Sequence, residues 1–250
     1  ALVILYVVFS IFGKNFLTLD TVKNILESSY YIGFMAFGVT FIIITGGIDL
    51  SVGTVMMCAA LLGGYSFKQG WPLILSVLLT IFVGAAFGFI NGNLIARLHL
   101  PPFIATLGTQ MMAAGLGSII TKVQSQTWPT ATAEVGSWFK KVFIRADIFG
   151  VKGFPVGAFW LIGFFLIAML ILHKTRFGRY AFAIGSNEEA TRLSGIKVDK
   201  WKVAVYTLSG FFIGMSGLFY AAAYTTITPG TGAGQEMNGI TGVIIGGTSM

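Results

Sequence analysis

Lys174-Thr-Arg-Phe-Gly-Arg-Tyr-Ala-Phe-Ala-Ile-Gly-Ser-Asn-Glu-Glu-Ala-Thr-Arg-Leu-Ser-Gly-Ile196 is a charged island in an otherwise apolar chain. Apolar runs flank it at 156–172 and 203–224. Each is long enough to cross a hydrocarbon core about 30 Å thick, which requires roughly 20 residues of a helix. Two spans need only a short polar turn between them. This connection is long and basic, and it carries helix signals of its own. Asn187 can cap an N-terminus, Glu188 and Glu189 suit a first turn, and Gly195 suits a stop. Ala190 and Leu193 fall on one face, and Arg192 lies on another. A helix over 187–195 is too short to hold alone and must dock on something. It is either a solvated loop helix or a handle for a partner; the aromatics Phe177, Tyr180 and Phe182 just before it argue for more than a loop.

Hydrophobic residues make up 55% of the 250 positions and charged residues 10%, and the mean hydropathy is +0.83. A soluble domain carries roughly a quarter charged residues, so the solvent here is lipid. Further apolar runs lie at 30–45, 52–67, 73–96 and 103–121. Only helices and closed barrels satisfy their backbones in lipid, and the runs show no alternation of period two. The expected fold is an all-α polytopic membrane protein, a multi-span helical bundle. It forms one transmembrane domain over 1–250, with the polar segment 174–202 inside it. Both ends read as cut. The opening run 2–12 is too short to span and lacks a basic leader and cleavage site. The expectation is a fragment without its C-terminal spans. The single cysteine, Cys58, excludes an intrachain disulfide and a cysteine metal cluster.

The net charge of +7 does not indicate nucleic acid, because the basic residues sit in loops between spans. Lys174, Arg176, Arg179, Arg192, Lys197, Lys200 and Lys202 are densest after 156–172, which assigns that loop to the cytoplasm. Alternation then makes 122–153 external, 97–101 internal and 68–71 external, and 13–27 is external too if 30–45 and 52–67 are separate full spans. The long external segment holds Trp128, Pro129, Trp138 and Phe139 and an amphipathic stretch near 134–145. These aromatics are either interfacial anchors or a docking surface.

Glycine recurs every fourth residue at Gly84, Gly88 and Gly92, at Gly210 and Gly214, and at Gly242 and Gly246. In lipid this spacing lets helix backbones approach and pack. Phe41-Ile-Ile-Ile-Thr-Gly-Gly-Ile-Asp-Leu50 is echoed by Gly242-Val-Ile-Ile-Gly-Gly-Thr-Ser-Met250. Interrupted apolar segments in matching halves point to an inverted repeat with broken helices.

Thr45-Gly-Gly-Ile-Asp-Leu-Ser-Val-Gly53 interrupts the apolar sequence between 30 and 67. Gly46 and Gly47 end one helix, and Asp49 or Ser51 can cap the next. The alternative is that Gly46, Gly47, Asp49 and Ser51 border a translocation pathway, where an ionisable group is costly and functional. His99 and His173 lie at span ends, and no phosphate-binding glycine loop or carboxylate pair is present. No catalytic site, metal or cofactor is expected.

These blocks, with Leu100-Pro-Pro-Phe-Ile-Ala-Thr-Leu-Gly-Thr109, Thr175-Arg-Phe-Gly-Arg179, Ala183-Ile-Gly-Ser-Asn187 and Gly234-Gln-Glu-Met-Asn-Gly-Ile240, resemble the ribose/galactoside-type permease subunits of bacterial ATP-binding-cassette importers. The order of the blocks is the family's, and they cover almost the whole chain. Ser186 stands where relatives more often carry glycine. The resemblance implies a subunit of the bacterial inner membrane that pairs with a second permease copy. Cytoplasmic ATPase subunits drive it, and an extracytoplasmic sugar-binding protein delivers a monosaccharide such as ribose, xylose or galactose. It matches Asn187, Glu188, Glu189, Ala190, Arg192, Leu193 and Gly195 to a coupling helix. The alternatives are a nucleoside or autoinducer-type permease of the same fold and an ion-coupled secondary transporter.

Overall fold

The computed structural model describes residues 2–13, 16–148 and 150–248. The chain order is α1 (Leu2–Phe12), α2 (Leu19–Ile44), α3 (Val52–Lys68), α4 (Leu73–Ala96) and α5 (Pro102–Ile120), then β1 (Gln126–Thr127), α6 (Trp138–Phe143), β2 (Ala146–Ile148) and β3 (Val151–Phe154), then α7 (Val156–Lys174), α8 (Arg176–Ser186), α9 (Glu188–Leu193), α10 (Val198–Tyr224), β4 (Thr226–Ile227) and α11 (Glu236–Ile245). Among the described residues, five helices are long and apolar enough to cross a membrane: α2, α4, α5, α7 and α10. The all-α, multi-span expectation holds.

The position of each helix follows from its composition. α3 has 17 residues, at the short end of the range that crosses a bilayer, and is buried on nearly every side. A helix that is apolar all round belongs in the middle of a bundle. α7 is the opposite case: only Gly157 and Ala168 are buried, and Phe165, Leu166, Met169 and Leu170 lie exposed, the apolar outer face that a lipid-facing span requires. α10 is central, with Phe212 and Phe219 packed on Phe34 and Phe41 of α2; Phe34 stacks on Phe219 at 4.5 Å and Phe41 on Phe212 at 5.9 Å.

The glycine seam is the tightest joint. A Cβ on Gly84 would overlap the carbonyl of Gly210, one on Gly88 the carbonyl of Tyr206, and one on Gly92 would come within 2.8 Å of the Val203 Cα. The order runs in opposite senses along the two helices, so α4 and α10 pack antiparallel with their backbones in contact. Gly242 does not follow this pattern. It faces open space, and the second half of the Gly242–Gly246 pair meets only its own helix.

The sequence echo is a geometric one. After α2, Gly46 N–H donates to Ile43 O at 2.9 Å and Gly47 N–H to Ile42 O at 3.1 Å, with Gly46 at φ +72°. After α11, Gly247 N–H donates to Ile244 O at 3.0 Å and Thr248 N–H to Val243 O at 3.2 Å, with Gly247 at φ +92°. Both are Schellman stops. The last two residues of the echo, Ser249 and Met250, lie outside the described residues, as does Ala1.

Two expectations need correction. The 13–27 connection is largely helix, because α2 begins at Leu19. Glu27 is held there by Arg145, whose guanidinium pairs with its carboxylate and donates to Asn24 Oδ1 at 3.2 Å. Trp128 is not an interfacial anchor. It is 1% exposed, donates Nε1–H to Ala60 O at 3.0 Å, stacks on Phe139 at 4.8 Å and rests on Gly63 and Gly64. The missing side chains at those glycines make room for the indole. The amphipathic stretch does form a helix, α6, with Phe139 and Phe143 buried and Lys140 and Lys141 in its last turn.

Candidate functional site

The break between α2 and α3 builds a buried polar hub. Asp49 is 7% exposed, and Ser51 and Asn91 are each 1% exposed. Asp49 Oδ1 accepts from Ser51 N–H at 2.8 Å and from the Ser51 hydroxyl at 2.6 Å. The Asn91 amide, on α4, donates to Asp49 Oδ2 at 3.2 Å and to Ser51 Oγ at 3.0 Å. Leu50 N–H donates to Thr106 Oγ1 on α5 at 3.2 Å. Asp49 therefore takes the N–H of Ser51, the N-cap residue itself, and Ser51 makes no side-chain cap bond and serves Asp49 instead, so the first-turn cap expected of one or the other is not made. Gly47 lies under the Tyr206 hydroxyl, where a Cβ would come within 2.6 Å. Among the described residues, Tyr206 Oη and Asn91 Oδ1 are buried without a hydrogen-bond partner.

The charged island folds as two helices. Thr175 caps α8, accepting from Gly178 N–H, and Asn187 caps α9, accepting from Ala190 N–H at 2.9 Å. Gly195 follows α9 at φ +81°, a region that favours glycine. α9 is tied down from below: the buried Thr191 hydroxyl donates to Ala183 O at 2.9 Å and Asn187 O at 2.8 Å. Ion pairs brace its flank. Glu188 meets Lys202 at 2.5 Å and Arg192 at 3.4 Å, and Arg192 meets Asp199 at 3.0 Å. The hydrogen bond that Arg192 donates to the Asp199 carboxylate pushes the Arg192 pKa above its ordinary value. Glu189 and Ala190 are exposed, and Leu193 is 82% exposed.

The two clusters touch. A Cβ on Gly178 would overlap the Leu172 carbonyl of α7, and one on Gly185 would overlap the Ile44 carbonyl of α2. α8 thus lies against the ends of two spans. Asp49 binds Asn91 near the C-terminal end of α4, and Leu50 binds Thr106 near the start of α5. The break, the α4–α5 turn and the island accordingly share one end of the bundle. Trp128, α6 and the β1–β4 pair sit by the C-terminal half of α3, at the other end. This grouping agrees with the loop alternation read from charge.

Asn91, Thr106, Tyr206 and Gly185 were not singled out by the sequence. An amide inside the apolar run 73–96 was the available signal for Asn91. Nothing local marks the other three.

The chain matches the model of the family described as branched-chain amino acid transport system / permease component over residues 21–250. It is 34% identical over 255 residues to the ribose import permease protein RbsC of Escherichia coli (strain K12), covering 100% of this chain and 76% of that protein. It is 34% identical over 241 residues to the fructose import permease protein FrcC of Rhizobium meliloti, covering 96% and 66%. It is 30% identical over 257 residues to the autoinducer 2 import system permease protein LsrC of Yersinia enterocolitica serotype O:8, covering 100% and 67%. No solved structure matches the chain.

Proposed function

The chain belongs to the branched-chain amino acid transport system permease-component family, and from that premise we propose that it passes a monosaccharide through the inner membrane as one subunit of an ATP-binding-cassette importer. It is a multi-pass transport subunit, not a catalytic enzyme. Family membership implies an ATPase, a binding protein and a second permease as partners.

The observation that carries the finer reading is the exposed tip of α9. Leu193 is 82% exposed on a helix that is capped at both ends and braced by three ion pairs, and a short helix held this rigidly supports the reading that its outer face is offered to a partner. Asn187, Glu188, Thr191, Arg192 and Gly195 set its shape; Glu189, Ala190 and Leu193 present it. The basic island lies in the cytoplasm by the inside-positive bias, so the partner is the ATPase. α8 passes its movement to the end of α2 through Gly185. The Gly46–Ser51 break, pinned to α4 and α5 by Asp49 and Thr106, is the place where that movement reaches the spans. The unpaired Tyr206 and Asn91 oxygens leave the hub room to exchange partners.

The substrate class rests on the relatives, whose names specify ribose and fructose. The name of a third specifies autoinducer 2, which supports a sugar-like autoinducer as a second reading. The test is ATP hydrolysis by the reconstituted importer with its binding protein, titrated with ribose, fructose, xylose, galactose and autoinducer 2. Stimulation by a monosaccharide supports the proposal; stimulation by autoinducer 2 alone replaces it with the second reading, and by none of them refutes both.

A further inference from the structure

Not all cations of the island are committed. Glu188 and Asp199 are taken by Lys202 and Arg192. Among the described residues, Arg176, Lys197 and Lys200 have no acidic partner. These three line one cavity of about 600 Å³ together with Tyr180, Trp201 and Ala204. The start of α10 opens beside it, and Lys197 supplies no side-chain cap to that helix.

The wall of the cavity belongs at a membrane surface. Trp201 meets Tyr180 edge-on at 4.8 Å and Phe177 at 5.9 Å. Such aromatics sit at headgroup level. Ala204 lies roughly 9 Å along α10 from Val198, at about 1.5 Å per residue. Trp201, Ala204, Leu208 and Phe211 recur at helical spacing and are all half-buried; the cavity reaches Ala204, and Leu208 and Phe211 continue the same apolar face of α10 beyond it, as a track toward the bilayer. An acidic protein surface would be matched by the charges but would leave this track unused.

We propose that the cavity binds the phosphate headgroup of an anionic phospholipid, with an acyl chain along Trp201–Ala204–Leu208–Phe211. Basic pockets at the ends of spans recognise phosphate headgroups in this way. The proposal requires α10 to be a span and is independent of the transported sugar.

The test is native mass spectrometry of the purified permease, titrated with dioleoylphosphatidylglycerol, dioleoylphosphatidylcholine, glycerol 3-phosphate and inorganic phosphate. Phosphatidylglycerol should bind in preference to phosphatidylcholine, and neither soluble phosphate should displace it. R176Q/K197Q/K200Q should weaken that binding on the order of a hundredfold, and K200Q alone roughly fivefold. K140Q/K141Q, at the other end, should leave it unchanged. Unaltered phosphatidylglycerol binding in both the triple variant and K200Q overturns the site. Full displacement by inorganic phosphate makes it a soluble-anion site and overturns the lipid. Loss of ATPase association with lipid binding intact assigns the cavity to the partner protein instead. Because lipid retention and ATPase association are read separately, failure here is distinct from failure of the coupling role.

Discussion

Gly185 of α8 lies directly on the carbonyl oxygen of Ile44, the last residue of α2, leaving no space for a side chain. A one-carbon change should therefore test whether α8 transmits force to the helix break. Gly185→Ala should lower sugar uptake several-fold while leaving assembly with the ATPase intact. Uptake per assembled complex is the measurement, and a wild-type value would show that the contact carries nothing.

Asp49 has a structural task first. Asp49→Asn keeps an oxygen for Ser51 N–H, whereas Asp49→Leu leaves buried donors unmet at a cost of about 1–3 kcal/mol each. The Leu variant should lose thermal stability in detergent clearly more than the Asn variant. Asn91→Leu should resemble it, because it strips the second carboxylate oxygen of its donor. Equal uptake loss in the Asn and Leu variants, at equal abundance, would mean that the charge itself matters for transport.

Gly88→Leu should break the α4–α10 joint. Overpacking a core costs about 1–3 kcal/mol, and here the obstruction is the Tyr206 backbone, which cannot rotate aside. Unfolding temperature in detergent and yield should both fall. Gly242→Leu, facing open space, should change either far less.

Trp128→Ala should destabilise by about 3–5 kcal/mol, because it empties the slot above Gly63 and Gly64 and unseats Phe139. Trp128→Phe should cost less, losing mainly the hydrogen bond to Ala60. A surface anchor would instead tolerate both, as thermal unfolding will show.

The features legible in the sequence were those written within a few residues: the Asn187 cap, the Gly195 stop, the paired glycines that end α2, and the four-residue glycine stripe. Each depends on local backbone geometry or on one helix face. Trp128 misled because an aromatic in a polar segment reads as an anchor; its burial depends on the distant Gly63 and Gly64. The length of α2 misled because its first turns are polar, and they are held by Arg145 from far along the chain. The hub was half legible. Asp49 and Ser51 stood out, but Asn91, Thr106 and Tyr206 come from three other helices, and only packing brings them together.

On the proposed reading, α9 is the surface through which an ATPase drives this permease. In a Cys58→Ala background, Leu193→Cys should form a cross-link to the ATPase subunit through a short bifunctional thiol reagent, and added ATP should change its yield. The same cysteine should resist a membrane-impermeant thiol reagent applied to intact cells. A cysteine at 193 that labels from outside, or that never cross-links to the ATPase in an assembled and active importer, would contradict the account.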